Sequence, residues 1–170
     1  MIGMEGKMLR SERLAYRLLD PSDKAALGEM LSDRSVTEPA GFLPPEDIDS
    51  FFETLTAYNT ALGVLKDGEL IGYIRVNKYV SDQTHHRDKT CVSTGFVINK
   101  KYHGKGYGTE TLQTVTEYLK NRFDLCFADH FEGNEQSKRV IEKCGYKYFE
   151  KYTMYFDELG REITCLSYVI

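Results

Sequence analysis

The sequence predicts an α+β fold with a mixed, mostly antiparallel central sheet of about six or seven strands, flanked by about four helices. Two hairpins support the antiparallel part, one across residues 66–69 and a closing one across residues 157–161. Two strand–glycine–helix units late in the chain, around Gly104 and Gly133, support the mixed character of the sheet. Helix-patterned segments come early and complete the α+β pattern.

The first part of the chain contains one predicted strand and two predicted helices. The strand covers residues 14–18 and ends at Asp20-Pro21, after which Ser22 can cap a helix that runs through about Leu31. We expect a second helix to begin at Pro44-Pro45. Its apolar residues recur at the helical spacing i, i+3, i+4 and i+7, as Ile48, Phe51, Phe52 and Leu55.

The remaining elements follow in the order that gives the sheet its mixed character. The Asp67-Gly68 pair is a strong hairpin signal between strands at 61–65 and 70–79, and a polar loop is expected at 81–89. We then expect a strand at 92–98, a helix at about 109–121, a strand at 125–130, a helix opened by Gly133-Asn134 and closed by Gly145, and hairpin strands at 146–155 and 163–169.

Length and composition indicate one globular domain over residues 1–170, with 41% hydrophobic and 28% charged residues. The net charge of −4 argues against a nucleic-acid partner. No apolar run is long enough to span a membrane, and no signal peptide is visible. The four cysteines are widely spaced and predict neither a zinc site nor a disulfide framework, so we expect a cytoplasmic protein without a bound metal.

A glycine-punctuated turn, residues 103–108, joins the strand at 92–98 to the next helix. The free amides at the start of a helix and the helix dipole both favour an anion, so this turn predicts a phosphate-binding loop. Basic residues near the turn favour a small anionic ligand, although a solvated loop explains the lysines equally well. The turn matches neither a P-loop nor a dinucleotide-binding fingerprint.

Three motifs in order resemble the GNAT superfamily of N-acetyltransferases, and within it the RimJ/RimL-like branch that includes acetyltransferases of ribosomal-protein N-termini. The chain's opening over residues 9–18 is similar to the start of that branch. Residues 101–106 stand where the family carries its cofactor motif, and residues 103–110 resemble the branch signature G-K-G-Y-[A/G]-T-E. The run from Gly133 to Tyr146 resembles its third motif. The resemblance implies the GNAT fold.

The resemblance also implies acetyl-CoA as the co-substrate. Its pyrophosphate would lie on the loop amides and its pantetheine arm along the preceding strand, and Asn134 would bind that arm or the thioester region. Asn134 as a plain helix N-cap is an equally good interpretation. The expected cofactor-binding residues are Phe96, Val97, Ile98, His103, Gly104, Lys105, Gly106, Tyr107, Gly108, Thr109, Asn134 and Ser137.

The catalytic groups follow less directly from the motifs. Acyl transfer needs a neutral amine and then a proton for the departing thiolate. Many relatives supply that proton from a tyrosine where this chain has Ile141. Ser137 is the nearest candidate for the proton donor, and Asn134 is a second catalytic candidate. The alternative for Ser137 is a hydrogen bond to the local helix backbone. A glutamate common in this branch is replaced by Ser93. Asp129, His130 or Glu38 could act as the general base in its place. For each of the three, a solvated surface position is the alternative.

The lack of an obvious general base indicates which kind of amine is the acceptor. An α-amino group has a pKa of about 7.7–8.0 and lysine ~10.4, so deprotonating lysine near neutral pH costs roughly 3.5 kcal/mol more. We therefore expect a protein N-terminal α-amine or a small amine as acceptor. Detoxification of an amine-bearing drug and a catalytically weak CoA-binding module are the alternatives, and monomer and homodimer both remain open. The acceptor pocket is expected between residues 38–58 and the terminal hairpin, with Phe42, Phe51, Tyr58, Tyr148 and Tyr155 as candidate aromatics.

Overall fold

The computed structural model describes residues 8–78 and 88–170. Its strands are β1 (Leu9–Arg10), β2 (Ala15–Leu18), β3 (Ala61–Lys66), β4 (Glu69–Lys78), β5 (Cys91–Ile98), β6 (Leu125–Phe131), β7 (Lys147–Phe156) and β8 (Arg161–Val169). Its helices are α1 (Lys24–Leu31), α2 (Arg34–Thr37), α3 (Ile48–Thr56), α4 (Tyr107–Lys120) and α5 (Glu135–Lys143). The strands form one sheet in the order β1-β2-β3-β4-β5-β6-β8-β7, and every pairing is antiparallel except β5 with β6. The predicted mixed α+β fold is confirmed, with the two-residue β1 and the single-turn α2 as additional elements.

The parallel pair at the centre of the sheet comes apart half-way along. β5 and β6 are in register only from Cys91↔Leu125 to Thr94↔Ala128. Beyond that point β5 continues beside β4 as far as Ile98, while β6 continues beside β8 as far as Phe131. The last residues of β5 therefore keep a strand partner on one side and face a wedge-shaped gap on the other. This opening in the sheet positions the site.

Helices cover both faces of the sheet. On one face α4 and α5 contribute Leu112, Val115 and Ile141, all fully buried, to a core that includes Ile74 of β4. On the other face α1 and α3 contribute side chains such as Leu27 and Phe52 to a second core that includes Tyr73 and Val97. Alternation along β4 sends neighbouring residues to opposite cores, as expected for a strand buried on both sides.

The first helix begins differently from the prediction that Ser22 caps it. Asp20 instead caps a 3-10 turn, Pro21–Asp23, by accepting a hydrogen bond from the Ser22 amide at 2.9 Å, and α1 starts only at Lys24. The carboxylate of Asp23 accepts a bond from the Asp20 amide in return, also at 2.9 Å. Two carboxylates thus satisfy the free amides reciprocally, which leaves the serine hydroxyl no capping role.

The second helix begins later than the predicted start at Pro44-Pro45. α3 starts at Ile48, where Asp47 provides the N-cap and accepts a hydrogen bond from the Asp49 amide at 2.9 Å. A carboxylate satisfies the first-turn amides and interacts favourably with the helix dipole, so the chain uses the first good cap after the prolines.

Other sequence features occur where they were predicted. The hairpin turn has positive φ at Asp67 (50°) and Gly68 (85°), and Gly145 ends α5 in the left-handed conformation with φ of 88°. α4 starts two residues before the predicted Thr109, because Gly106 lies just outside the helix at φ 82°. The polar loop predicted at 81–89 falls almost wholly outside the described residues. In the part of the chain that the structure describes, no helix is long and apolar enough to cross a membrane.

Candidate active site

The glycine loop between β5 and α4 is held in place by a hydrogen bond from the His103 side chain and by two glycines in the left-handed conformation. His103 donates a hydrogen bond from Nε2 to the carbonyl oxygen of Ile98 at 2.7 Å, which ties the loop to the end of β5. Gly104 and Gly106 have φ of 74° and 82°, a conformation that side chains with a Cβ rarely adopt. Helix α4 follows at once, so its first-turn amides have no partner within the helix. This cradle of amides at the positive end of a helix dipole fits a pyrophosphate.

A partly buried carboxylate, that of Glu110, holds the glycine loop in place through Arg13. Glu110, with 14% of its side chain exposed, accepts hydrogen bonds from the Ser11 hydroxyl at 2.6 Å and from the Arg13 amide and Nε at 2.8 and 2.7 Å. Arg13 also donates to the Lys105 carbonyl oxygen at 3.0 Å and lies over the ring of Tyr107. Burial alone would raise the pKa of Glu110, but these hydrogen bonds outweigh it and lower the pKa below the usual glutamate value. The Glu110 carboxylate is therefore ionised at neutral pH and forms an ion pair with Arg13.

A cavity of about 490 Å³ lies between β5, the glycine loop and the start of α5. The predicted cofactor-binding residues line it, with the exception of Lys105: Phe96, Val97, Ile98, His103, Gly104, Gly106, Tyr107, Gly108, Thr109, Asn134 and Ser137. The Lys105 side chain turns away and donates to the Lys101 carbonyl oxygen at 3.1 Å, with its ammonium over the ring of Tyr102. We refer to this space as the cofactor cavity.

Two basic residues of the cofactor cavity were missed at the sequence level. Arg139 and Lys143, both on α5, line the same cavity as the glycine loop. They stand four residues apart and therefore on the same face of the helix, which is the signal that could have found them. Two cations facing an amide cradle suit a ligand that carries several phosphates. Ser35 and Val36 of α2 close the same cavity from a short helix that was not predicted.

Asn134 is the N-cap of α5 and a lining residue of the cofactor cavity at the same time. Its Oδ1 accepts a hydrogen bond from the Ser137 amide at 3.1 Å, which satisfies one free amide of the first turn. The amide group of Asn134 keeps two N–H donors that the cap does not use. The hydroxyl of Ser137 has no hydrogen-bond partner among the described residues, so it is available to a ligand.

A second cavity, of about 660 Å³, opens on the face of the sheet that carries α1 and α3. We refer to it as the acceptor cavity. It shares five lining residues with the cofactor cavity, all at the place where β5 and β6 separate: Pro39, Ala40, Phe96, Val97 and Ser137. Ser137 is the only one of the five whose side chain can donate a proton. The two cavities thus meet at a serine hydroxyl.

Phenylalanines form much of the acceptor cavity's wall. Phe42 and Phe51, both predicted to line it, stack with ring centroids 5.4 Å apart, and Phe131 and Phe156 lie edge-on at 5.0 Å. The prediction was wrong for three tyrosines, which are exposed and absent from the lining: Tyr58 at 74%, Tyr148 at 56% and Tyr155 at 55% exposure. A register shift between Tyr148 and Glu150 on β7 brings Tyr152 into the cavity instead.

Asp129 places a carboxylate at the floor of the acceptor cavity. Its Oδ2 accepts a hydrogen bond from the Tyr152 hydroxyl at 3.2 Å, while its buried Oδ1 has no partner among the described residues. Burial raises the pKa of Asp129, because a desolvated carboxylate is disfavoured, and the neighbouring hydroxyls only partly oppose the shift. A carboxylate held in this way can accept a proton from a bound ammonium group.

The other two residues considered as a base are placed less favourably. His130 lines the acceptor cavity but is 5% exposed, with Nδ1 at 2.8 Å from the Phe131 carbonyl oxygen and Nε2 at 3.4 Å from the Tyr168 hydroxyl. Both of its ring nitrogens are therefore occupied. Glu38 lines neither cavity and pairs with Arg34 at 2.8 Å in the α2 segment. Among the three candidates, the geometry therefore favours Asp129 as the general base.

The sequence model of a protein family described as "Acetyltransferase (GNAT) domain" matches residues 13–147. The chain belongs to the GNAT family of acetyltransferases. The matched segment spans both cavities' shared wall and the whole glycine loop. It also contains the brace between Arg13 and Glu110.

Relatives and solved structures agree with the family match. "Uncharacterized N-acetyltransferase YnaD" of Bacillus subtilis strain 168 is 30% identical over 144 residues, which are 81% of each chain. A GNAT-family acetyltransferase from Bacillus anthracis is 25% identical, with a TM-score of 0.80 over 96% of this chain and 97% of that one. A spermidine N-acetyltransferase from Vibrio cholerae, solved with CoA and spermine, is 17% identical, with a TM-score of 0.75 over 94% and 96%. The similar structures also include ribosomal-protein acetyltransferases.

The protein is thus a GNAT N-acetyltransferase with acetyl-CoA as its co-substrate. Two positions distinguish its site from the pattern described for the branch. Ile141, which stands where many relatives have a tyrosine, is fully buried in the α4–α5 core and cannot reach either cavity. Ser93, in place of a glutamate, lines the acceptor cavity but offers only a hydroxyl. The proton transfers therefore need other groups.

Proposed function

We propose that this enzyme acetylates a primary amine, favouring the α-amine of a protein or peptide N-terminus or a small amine, by direct attack of the amine on the thioester. The observation that carries the proposal is the junction of the two cavities at the gap between β5 and β6, with Ser137 in the wall of both. An amine in one cavity and a thioester in the other would meet there without passing through solvent.

The cofactor cavity supports one orientation of the co-substrate. The pyrophosphate would lie on the amides of residues 103–109, with Arg139 and Lys143 facing it. The pantetheine arm would run along the end of β5, because the residues after Thr94 have lost β6 as a partner and the backbone edge of residues 95–97 is left open, the Ile98 carbonyl oxygen being bound by His103. The thioester then reaches the gap near Asn134, whose unused N–H groups can hold the arm or the thioester oxygen.

The chemistry requires two proton movements. Asp129 would take a proton from the bound ammonium, leaving a neutral amine whose nitrogen attacks the thioester carbonyl carbon. The carbon–sulfur bond breaks as the amide forms, and Ser137 would supply a proton to the departing thiolate and recover one from the nitrogen through water. Acetyl-CoA supplies only the activated acyl group.

The charges of the acceptor cavity bear on the choice of amine. The cavity is lined by the acidic side chains of Asp129 and Glu158 but also by the cationic Arg75. A cation in the wall is unfavourable for a polyamine, which would place several positive charges beside it. An acceptor with one amine and an apolar substituent fits the phenylalanine walls better. We therefore favour an α-amine or small monoamine over a polyamine such as the spermine bound by the Vibrio enzyme.

Release of CoA from acetyl-CoA, measured with a panel of amines, tests the proposal. The panel contains short peptides with a free N-terminus, the same peptides blocked at the N-terminus but carrying lysine, small monoamines and spermidine. We expect turnover of α-amines and monoamines, a fall of about 10²-fold or more in kcat with Ser137→Ala, and a rise in the KM for acetyl-CoA with Asn134→Ala. Faster turnover of lysine side chains or spermidine would contradict the acceptor class. Tight CoA binding without turnover of any amine would favour a CoA-binding module instead.

A further inference from the structure

Three neighbouring strands place a cation, a glycine and a carboxylate in a row across the floor of the acceptor cavity. Arg75 of β4 pairs directly with Gly95 of β5, and Asp129 of β6 follows Ala128, the last residue in register with β5, so that it lies across the opening gap from Gly95. Residues opposite one another on adjacent strands share a face of the sheet, and all three line this cavity. Adjacent strands lie about 4.8 Å apart, so at least about 10 Å separates the backbones of Arg75 and Asp129.

The middle of the row is open. A Cβ built on Gly95 would meet no atom within 4 Å, so the space above it belongs to the cavity. The charged residues on either side do not neutralise each other, because no ion pair joins Arg75 to Asp129 in the described part of the chain. A small ligand can therefore lie between the two.

Both charged side chains are partly exposed and line the cavity. Arg75 makes no hydrogen bond or ion pair to any described residue, and its Nε is buried without a partner. Asp129 accepts a bond from Tyr152 at Oδ2, and Ser167, whose hydroxyl is also unpaired, stands opposite it on β8 beside the buried Oδ1. An unpaired guanidinium seeks an anionic acceptor, preferentially a carboxylate, and a carboxylate seeks a cationic donor. A single ligand with both groups would satisfy the pair.

We propose that the acceptor is a small amino-carboxylate, with its amine at Asp129, its carboxylate at Arg75 and its backbone over Gly95. The phenylalanine walls favour an apolar or aromatic side chain on that acceptor. This inference rests on the proposed amine acetylation and narrows the acceptor to a free α-amino acid or a close analogue. A peptide N-terminus offers the same amine but only a neutral carbonyl to Arg75.

Three matched acceptors test the inference: L-phenylalanine, L-phenylalaninamide and phenethylamine, which share the phenyl ring and the primary amine and differ in the group presented to Arg75. For the unaltered enzyme we expect kcat/KM for phenylalanine to exceed that for the other two about 10- to 100-fold, as for a charge-assisted pair of hydrogen bonds. Arg75→Met, which keeps the length of the side chain's apolar part, should abolish that preference by lowering kcat/KM for phenylalanine about tenfold or more beyond any change for phenylalaninamide. Arg75→Lys should restore part of it.

Gly95→Val and calorimetry separate a binding role from a structural one. Gly95→Val keeps both charges but fills the space between them, so it should raise the KM for phenylalanine about tenfold or more without changing acetyl-CoA affinity. An equal loss for all three acceptors in Arg75→Met would show a structural role and overturn the inference. A preference for the amide or for phenethylamine in the unaltered enzyme would also overturn it.

Binding of phenylalanine to the CoA-loaded protein distinguishes failure of this inference from failure of the proposed function. Turnover of amines without any preference for the carboxylate would leave acetylation standing and refute the amino-carboxylate site. Arg75-dependent binding of phenylalanine without turnover of any amine would support the site and refute the proposed reaction. If phenylalanine were neither bound nor turned over, the amino-carboxylate site would be refuted.

Discussion

Gly104→Ala tests the assignment of the glycine loop, with Gly68→Ala as a matched control. The two glycines have similar left-handed φ values, 74° and 85°, and a Cβ at either position would meet no atom within 4 Å. Alanine in this conformation costs roughly 1–2 kcal/mol, because its Cβ crowds the following carbonyl oxygen. Only Gly104 lines the cofactor cavity; Gly68 lies in the hairpin turn between β3 and β4.

The two substitutions should therefore lower stability equally and differ in cofactor binding. For a domain of this size each kcal/mol corresponds to a fall in Tm of about 2–4 °C, so both variants should melt a few degrees below the parent. Gly104→Ala should in addition weaken acetyl-CoA binding about tenfold or more, the equivalent of one hydrogen bond to a charged group at ~1.5 kcal/mol. Calorimetric titration with acetyl-CoA and thermal melts measure the two effects separately.

The reasoning would be refuted if Gly104→Ala bound acetyl-CoA as tightly as Gly68→Ala. That result would mean that no phosphate approaches the loop backbone closely, and the glycine turn would have only a structural role. A larger loss of stability in Gly104→Ala than in the control would point to a hidden steric conflict, and the affinity would then be compared at a temperature where both variants are fully folded.

Three further substitutions test the sheet, the cavity floor and the brace. Gly72→Ala should destabilise the fold by about 3 kcal/mol, because its Cβ would lie 2.4 Å from the Val97 carbonyl oxygen. In the control Gly95→Ala the new Cβ meets no atom within 4 Å, so this variant should melt like the parent. Equal melting temperatures for the two variants would contradict the spacing of the strands. Asp129→Asn should abolish most turnover yet raise stability at pH 8, because a carboxylate whose pKa is raised on folding disfavours the folded state as pH rises. The gain in stability should vanish toward about pH 4, and it would be missing altogether if that carboxylate were well solvated. Glu110→Gln should lower stability at pH 7 by about 1–3 kcal/mol and weaken acetyl-CoA binding. Because the pKa of Glu110 is lowered in the folded protein, the difference in stability from the parent should shrink as the pH falls through the acid range. A difference in melting temperature that does not depend on pH would exclude an ionised Glu110 in the brace.

Local patterns in the sequence predicted the glycine loop and most elements. The Asp67-Gly68 turn has the backbone conformation that its residues favour, and the glycine turn between a strand and a helix start predicted an anion site that stays a prediction. Helix starts were less accurate at Ser22 and at Pro44-Pro45. Several capping residues compete within a few positions there, and their hydrogen bonds decide the outcome.

Residues that acquire their role from strand register could not be predicted locally. Arg75 stands in a strand whose residues alternate between two buried faces, and only its pairing with Gly95 places it on the cavity floor. Tyr148 and Tyr152 are four positions apart and would share a face of a regular strand. The register shift on β7 sends Tyr148 toward Tyr168 and Tyr152 toward Asp129. A single inserted residue of this kind has no clear sequence signature.

Asp129 shows how the structure narrows a choice that the sequence leaves open. The chain offered three candidates for a base, and residue type alone did not separate them. Burial, an unpaired carboxylate oxygen and a position on the acceptor cavity floor distinguish Asp129, whereas Glu38 pairs with Arg34 and both nitrogens of His130 are occupied.

A crystal structure of the enzyme with CoA is the most direct test of the central claim, that the cofactor and acceptor cavities meet at Ser137 in the gap between β5 and β6. We predict the pyrophosphate within hydrogen-bond distance of the amides of residues 103–109, the pantetheine arm along Phe96–Ile98, and the sulfur within about 4 Å of the Ser137 hydroxyl. A sulfur atom outside the gap, or a pyrophosphate away from the glycine loop, would contradict the account.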